Sequence, residues 1–507
     1  MRTNILEYLE ESAKRVPDKL AFSDGEESLT FERVLCTAQS LATGLLGTAQ
    51  PGEPVAILMK RRPAQIVAFF ACIYAACPYV PLDSSMPKER MELILSSVGA
   101  KYLIYDDEGK KALEGLGFSG DALAYDELAK AKINENILAK VRKKQIDTDP
   151  IYMVFTSGST GVPKGVAACH RSVIDYTESL CEALPFSEDT VFGNQTPLFF
   201  DAPLKEIMPT IKYGATTYLI PKKLFLFPTR LCDFLNEHKI NTICWVVSAL
   251  TMVSSLGVLE TNPPKYLSTV AFGSEVFPLP QYRLWREALP GATFFNLYGP
   301  TEATGMSCYW KAERELADGE PIPIGRPFRN TDLFLLGERD EKIEQANKPG
   351  EIYLRGTCVT LGYYNNPEKT SEAFVQNPLQ NHYPELVYKT GDNAYYNELG
   401  ELIFVGRKDA QIKHMGHRIE LGEIEAAAAT VNGLQLCCAL YDEAQKQIAL
   451  FYTGLVDEKT ILSELSKKLP RYMLPTRLER LPKMPLTPNG KIDRRGLKER
   501  FLLQTQN

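Results

Sequence analysis

The chain has 507 residues, with 57 Lys and Arg against 63 Asp and Glu, a net charge of −6, and 44% apolar and 24% charged residues. This composition excludes a mainly disordered or collagen-like chain, and at about 100–200 residues per domain it predicts two to four domains. The mild acidity argues against nucleic acid as the main partner, because phosphate binding needs a basic surface.

The first 22 residues carry acidic side chains where a secretory leader needs an apolar core, and they read as an amphipathic helix running into a strand. Residues 66–77 form the longest apolar run, too short to cross about 30 Å of hydrocarbon, so no membrane span is expected. Strand-like runs begin at Pro54 (PVAILM), Lys101 (KYLIYD), Thr216 (TTYLIP) and Ile240 (INTICWVV), with helical patterns between them, as over residues 228–238. That alternation predicts an α/β fold of βα units with largely parallel sheets. From Gly350 the texture changes to short strands with polar turns, GEIYLRG and LVYKTGDNAYYNELGELIFVGR, which predicts an antiparallel or barrel-like subdomain. After ELIFVGR come QIKHMGHRIE, an Ala-rich helix, two strands and a further helix from Glu458. We place a boundary at residues 406–410, between a large N-terminal part (1–405) and a compact α+β C-terminal domain (410–507) of about 100 residues. Residues 467–500 hold eleven Lys/Arg and three Asp/Glu, either a solvated surface or a docking face for an acidic partner or a nucleotide. Eleven scattered cysteines without a CxxC pair fit reduced thiols in a cytoplasm. The five histidines show no metal spacing, and a surface position is expected for His414 and His417.

Four segments carry recognisable chemistry. The strand 151–155 runs into a loop with Thr156, Ser157, Gly158, Ser159, Thr160, Gly161 and Lys164. Glycines let backbone N–H groups turn toward an anion, and hydroxyls and a lysine add donors, so the loop is either a phosphate cradle or a flexible turn; it lacks Walker spacing. Asn296-Leu-Tyr-Gly-Pro-Thr-Glu302 offers a flat ring at Tyr298 and oxygens at Thr301 and Glu302 suited to phosphate and Mg²⁺, or else a turn with a capping Thr-Glu pair. Asp392 follows a tight turn and suits ribose hydroxyls as well as it suits turn chemistry. Lys491, just past an Asn-Gly turn, is either a solvated lysine or a mobile cation delivered to developing negative charge.

Taken in order, LTFERV, AACPYVPLD, TSGSTGVPKG, NLYGPTE, GEIYLRGTCVTLGYYNNPEKT, YKTGD, GRKDAQIKHMGHRIELGEIE, LPRYMLP and PNGKIDR resemble the adenylate-forming enzymes. The chain is most similar to amino-acid adenylation enzymes of nonribosomal peptide synthesis and to D-alanine–carrier protein ligase. The resemblance spans nearly the whole chain. It implies two βαβ-type subdomains plus a small β-barrel, followed by a small mobile α+β C-terminal domain. It also implies that a substrate carboxylate attacks Mg·ATP to give an acyl-adenylate, which a phosphopantetheine thiol then intercepts. On this resemblance the Thr156–Lys164 loop holds the β- and γ-phosphates, Tyr298 stacks on adenine, Thr301 contacts the α-phosphate and Glu302 holds Mg²⁺. Asp392 binds ribose with Arg407 nearby, Lys491 bridges carboxylate and α-phosphate, Asp409 is the hinge, and Lys413 and Gly416 belong to the thiol tunnel.

Asp201 falls where amino-acid-activating members carry an aspartate for the α-ammonium group, although it also suits a helix cap. The implied pocket is Asp201, Ala202, Lys205, Trp245, Val270, Phe272, Leu297, Gly305 and Met306, whose bulk favours a small side chain. Residues 244–249 depart from the proline-containing pattern of relatives, which leaves the pocket register open by one residue. Lys205 either recognises an acidic side chain or points away and pairs with Glu206 or a surface group. Phe272-Gly-Ser-Glu275 stands where D-alanine ligases carry Cys-Gly-Glu. The resemblance thus implies a monomeric cytoplasmic ligase that uses ATP and Mg²⁺ and charges a separate carrier protein, whose acidic helix would meet Arg494, Arg495 and Lys498. Rivals are an acyl- or aryl-CoA ligase and an inactive nucleotide-binding homologue.

Overall fold

Short β-branched runs followed by amphipathic helices build two mainly parallel sheets. The computed structural model describes residues 2–158, 162–408, 411–443, 445–487 and 492–504. One six-stranded sheet sets Asp121–Ala124, Tyr102–Tyr105, Val55–Leu58, Tyr79–Leu82 and Pro150–Thr156 parallel, with Lys164–Cys169 antiparallel at its edge. A nine-stranded sheet runs Thr293–Tyr298, Thr269–Gly273, Thr242–Val246, Val191–Asn194, Thr216–Leu219 and Leu20–Ser23 parallel, with antiparallel strands at both ends. The helix Pro63–Tyr74 is buried on every side, which is why its sequence reads as an unbroken apolar run rather than a stripe. No helix among the described residues is long and apolar enough to cross a membrane.

The segment expected to form a small barrel is a six-stranded antiparallel sheet whose hydrogen-bonded path does not return to its start. Its long strand, Leu386–Tyr396, turns at Gly391 (φ +73°), so that its first half pairs with Phe374–Gln376 and its second with Leu402–Arg407. Asp392 sits at that turn.

Beyond it, Gln411–His414 and His417–Glu420 form a hairpin. The helix Leu421–Ala429 and a three-stranded sheet of Leu434–Asp442, Gln447–Gly454 and Arg477–Arg480 follow. Ile419, Ile424, Leu450, Tyr452, Ile461 and Leu465 give this smaller region its own apolar core. A buried ion pair between Arg90 and Glu423 ties it to the larger part.

The N-terminal helix is docked through His170, whose Nδ1 accepts the Ile5 N–H at 3.2 Å. Burial, with the Arg142 charge adding to it, pulls the imidazole down to about 3. The folded chain therefore keeps His170 neutral while the unfolded chain takes up a proton below about 6.5. Stability should fall as pH drops from that value toward 3, by up to about 1.4 kcal/mol per unit from this group. Urea unfolding at pH 6 and pH 4 checks this: His170→Asn is expected to lose less stability between the two than the unsubstituted chain.

Candidate active site

The carboxyl ends of the parallel strands in the nine-stranded sheet are where an open α/β sheet places its ligands. The strand Thr293–Tyr298 delivers Tyr298 there, and the chain then turns back at Gly299. A Cβ on Gly299 would lie 2.5 Å from Met306 Cα, so the turn admits no side chain. The Tyr298 hydroxyl donates to Asp392 at 2.6 Å, and Arg407 Nη1 donates to the same carboxylate at 2.5 Å. Arg407 also reaches the Thr390 carbonyl at 3.0 Å. Tyr298 and Arg407 face a cavity of about 380 Å³ that Ser274, Asn296, Phe404 and Lys413 also line. The Lys413 ammonium lies 5.3 Å from the Tyr298 ring and 5.5 Å from the Phe404 ring, and burial pulls its pKa down.

The short turn after Pro300 brings Thr301 and Glu302 to the same floor. Glu302 is fully buried (0% exposed) and accepts from Arg418 Nη1 at 2.6 Å and from the Tyr363 hydroxyl at 2.6 Å. Burial alone would raise its pKa; the Arg418 and Lys164 cations outweigh burial and hold the carboxyl down to about 2. Lys164 sits 4.0 Å from Glu420 and 5.1 Å from the Tyr363 ring. Ser157 is held at both ends, donating to the Arg418 carbonyl at 2.9 Å and accepting from the Glu420 N–H at 3.0 Å. The Gly158 N–H donates to Glu423, and Thr156 Oγ1 is buried without a hydrogen-bond partner. The loop's donors therefore face acceptors from the C-terminal region. The Glu302 carboxylate, held well down in pKa, fits a hard divalent cation, and no cluster of three His, Cys, Asp or Glu among the described residues forms a metal site by itself. Glu302 would hold Mg²⁺ only with phosphate oxygens completing the shell, and only with Arg418 withdrawn.

The hairpin tip Met415-Gly416 has positive φ at both residues (51° and 79°), as a two-residue turn of the I′ kind requires. It packs against the end of the strand Thr242–Val246. A Cβ on Gly416 would meet Val246 Cγ1 at 2.5 Å, and the Gly416 N–H donates to Glu275 at 3.2 Å.

Asp201 lies on the other side of Thr301, which donates to its carboxylate, while Gly305 passes close enough that a Cβ would sit 3.4 Å from Asp201 Oδ2. Burial raises the Asp201 pKa, opposed by the Thr301 hydrogen bond and the Lys205 charge. Asp201 does not cap the following helix with its side chain: Leu204–Tyr213 begins after Pro203, with no side-chain cap. Gly305 and, through its charge, Lys205 approach Asp201 here, and Leu297 lines the cavity.

Three expected pocket residues do not. Trp245, Val270 and Phe272 pack with Phe277, Tyr282 and Trp285 in the core behind the sheet. Cys244, Ala271, Leu297 and Met306 pack with Met208 and Tyr298 on the site face. Alternation along a strand makes this a slip of one residue, so Cys244 and Ala271 replace Trp245 and either Val270 or Phe272. The small-side-chain expectation loses its two bulkiest members with them. Lys205 also departs from the outward-pointing alternative. Its side chain is buried (3% exposed) and makes no ion pair with Glu206 or any other described residue. His414 and His417 are likewise not surface residues: His414 is buried beside Tyr441, and the His417 ring is stacked 3.7 Å from Tyr472 and 5.2 Å from Phe200.

Ser159, Thr160, Gly161, Asp409 and Lys491 lie outside the described residues. Sequence reading passed over Arg418, Tyr363 and Glu423. Arg418 and Tyr363 stood inside quoted motifs, but nothing local marked their long-range partner Glu302.

The AMP-binding enzyme family profile matches residues 9–364. A linear gramicidin synthase polypeptide of Brevibacillus parabrevis is 33% identical over 96% of this chain and 6% of its own length. L-proline–[L-prolyl-carrier protein] ligase of Streptomyces coelicolor is 30% identical over 93% of this chain and 92% of its own. The chain spans 6%, 13% and 46% of three of its large synthetase relatives. Among solved structures, the Vibrio cholerae adenylation domain AlmE, in complex with glycyl-adenosine-5′-phosphate, superposes with a TM-score of 0.85 over 99% of this chain and 98% of that one, at 22% identity. IdnL1 does so at 0.80 and 25% identity over 95% and 99%.

Proposed function

Because the chain belongs to the AMP-binding enzyme family, we propose that it activates an amino acid with ATP and passes it to the phosphopantetheine thiol of a carrier protein. The observation that carries the amino-acid part is Asp201, a half-buried carboxylate that accepts from Thr301 and feels the Lys205 and Glu302 charges. An α-ammonium group is the partner such a carboxylate calls for.

In the first half-reaction a substrate carboxylate oxygen bonds to the α-phosphorus and the bond to pyrophosphate breaks, leaving an aminoacyl-adenylate. In the second, the thiol sulfur bonds to the acyl carbon, its proton is lost and AMP departs. Chemistry of this kind depends on positioning and electrostatics. Tyr298 offers its ring to adenine. Asp392, held by Tyr298 and Arg407, accepts from the ribose hydroxyls. Lys164 and the loop donors serve the outer phosphates, Thr301 the α-phosphate, and Lys491 the charge that builds during attack. Rotation about Asp409, within a hinge at 406–410, exchanges Lys491 for the hairpin bearing Lys413 and Gly416. Magnesium bound with ATP would neutralise phosphate charge at Glu302.

ATP–pyrophosphate exchange across the twenty L-amino acids, D-alanine, D-glutamate, and representative fatty and aryl acids tests the reading. Exchange with an amino acid supports it. Exchange only with acids lacking an α-amino group would move the chain to the CoA ligases, and the D-alanine-like reading stands or falls on the D-alanine arm.

A further inference from the structure

Asp201 lies in the turn before the helix Leu204–Tyr213 and Lys205 in its first turn, near enough that the Lys205 charge acts on the Asp201 carboxyl. Lys205 is 3% exposed, and its charge acts on Asp201, on Glu206 and on the Cys244 thiol of the neighbouring strand. A buried ammonium without a partner is costly, and native chains retain one where a ligand supplies the missing charge.

None of the surrounding groups supplies it. Glu206 Oε2 accepts from Asn194 Nδ2 at 3.3 Å, while Oε1 is buried without a partner. Burial raises that carboxyl to about 8, so at neutral pH Glu206 is mostly protonated. The second buried cation nearby, Arg61, directs its guanidinium to the Ile220 carbonyl at 2.8 Å and to Asn194 at 2.5 and 3.0 Å, and brings more positive charge. Cys244 is a neutral thiol, its pKa raised well above the ordinary value by burial. Asp201 is the other carboxyl on which the Lys205 charge acts, and on the proposed reading the incoming α-ammonium group takes it up. Lys205, with Arg61 acting on the same Glu206, would then be left with no carboxylate of its own. Trp245 and Phe272 pack in the other apolar cluster, and the residues on this side, Cys244, Ala271 and Gly305, are small.

We propose that the amino acid activated here has an acidic side chain, and that Lys205 is the specificity-determining residue that receives its carboxylate. This rests on the amino-acid adenylation reading and names its substrate class.

The test is pyrophosphate exchange by the full chain with glutamate and aspartate, each as both enantiomers, against glutamine and asparagine, which differ by an amide for a carboxylate. One acidic amino acid is expected to exceed its amide by about 10²-fold in kcat/KM, the discrimination a buried polar partner gives. Lys205→Met should bring that ratio to within about threefold of unity by loss of the acid, and Lys205→Glu should transfer preference to lysine or ornithine. The unsubstituted chain decides the matter even where a variant fails to fold. Strong exchange with neutral amino acids and none with acidic ones would overturn the Lys205 assignment and leave amino-acid adenylation standing. Exchange confined to acids lacking an α-amino group would overturn both.

Discussion

Arg418→Ala is expected to slow thiol transfer from preformed adenylate by about 10²–10³-fold while leaving pyrophosphate exchange within about threefold of the unsubstituted chain. Arg418 comes from the smaller C-terminal region, and its guanidinium is one of two side chains that hold the buried Glu302 carboxylate. Removing one member of a buried ion pair strands the other, at a cost of about 3–5 kcal/mol, equivalent to the expected loss. The cost falls on the arrangement in which the hairpin enters the site, and adenylation on the proposed reading does not use that arrangement. Arg418→Lys should recover only part of the rate, because an ammonium does not reproduce the guanidinium fork that also reaches Gln411 at 2.6 Å. Single-turnover transfer measured beside exchange separates the two effects. Equal losses in both half-reactions would mean that the pair holds the large part together rather than closing one region on the other.

The reason for expecting a split lies in which donors are already engaged. Ser157 is clamped between the Arg418 carbonyl and the Glu420 N–H, and the Gly158 N–H serves Glu423. Lys164 has Glu420 at 4.0 Å. These are the groups that the outer phosphates of ATP would call on, so triphosphate and inserted hairpin compete for them. Lys413 meanwhile lies over Tyr298, and Gly416 abuts Val246. On the proposed reading, this arrangement follows pyrophosphate release and accompanies transfer. Alternation between two positions of one domain is a plain way for a single site to run two chemistries in sequence.

Much of this was legible in the sequence, because most of it is local. Strands such as Thr216–Leu219 and Thr242–Val246 follow from β-branched runs, whereas the change of texture at Gly350 falls inside the antiparallel sheet, whose strands Thr331–Leu336 and Lys342–Ile343 precede it. Tyr298, Thr301 and Glu302 come together because one turn carries all three. Register is what sequence reading left open: a shift of one residue in a strand reverses every side chain, and nothing local distinguishes Trp245 from Cys244 as the inward member when both flanking environments are apolar. Long-range ion pairs were equally invisible. Arg418 and Glu302 are separated by 116 positions, and Arg90 and Glu423 by 333. Lys205 was open in sequence because its neighbour Glu206 offered an easy partner; the fold turns the two apart, sending Glu206 to Asn194.

Asp201→Asn is expected to lower kcat/KM for the amino acid by about 10²–10³-fold with the KM for ATP unchanged. Asparagine preserves size and can still accept from Thr301, so the change removes charge and little else. The α-ammonium group would then stand beside the Lys205 charge with the carboxylate that should receive it gone, a penalty of the size found when a buried pair loses one member. An acid of the same skeleton lacking the α-amino group brings no such charge. Its exchange should be little altered, so the ratio of amino acid to des-amino acid should collapse toward unity. That ratio is the informative quantity, since general damage to the fold would depress both substrates together. A preserved preference for the amino acid in Asp201→Asn would place the ammonium against some other group and remove the observation on which the substrate class rests.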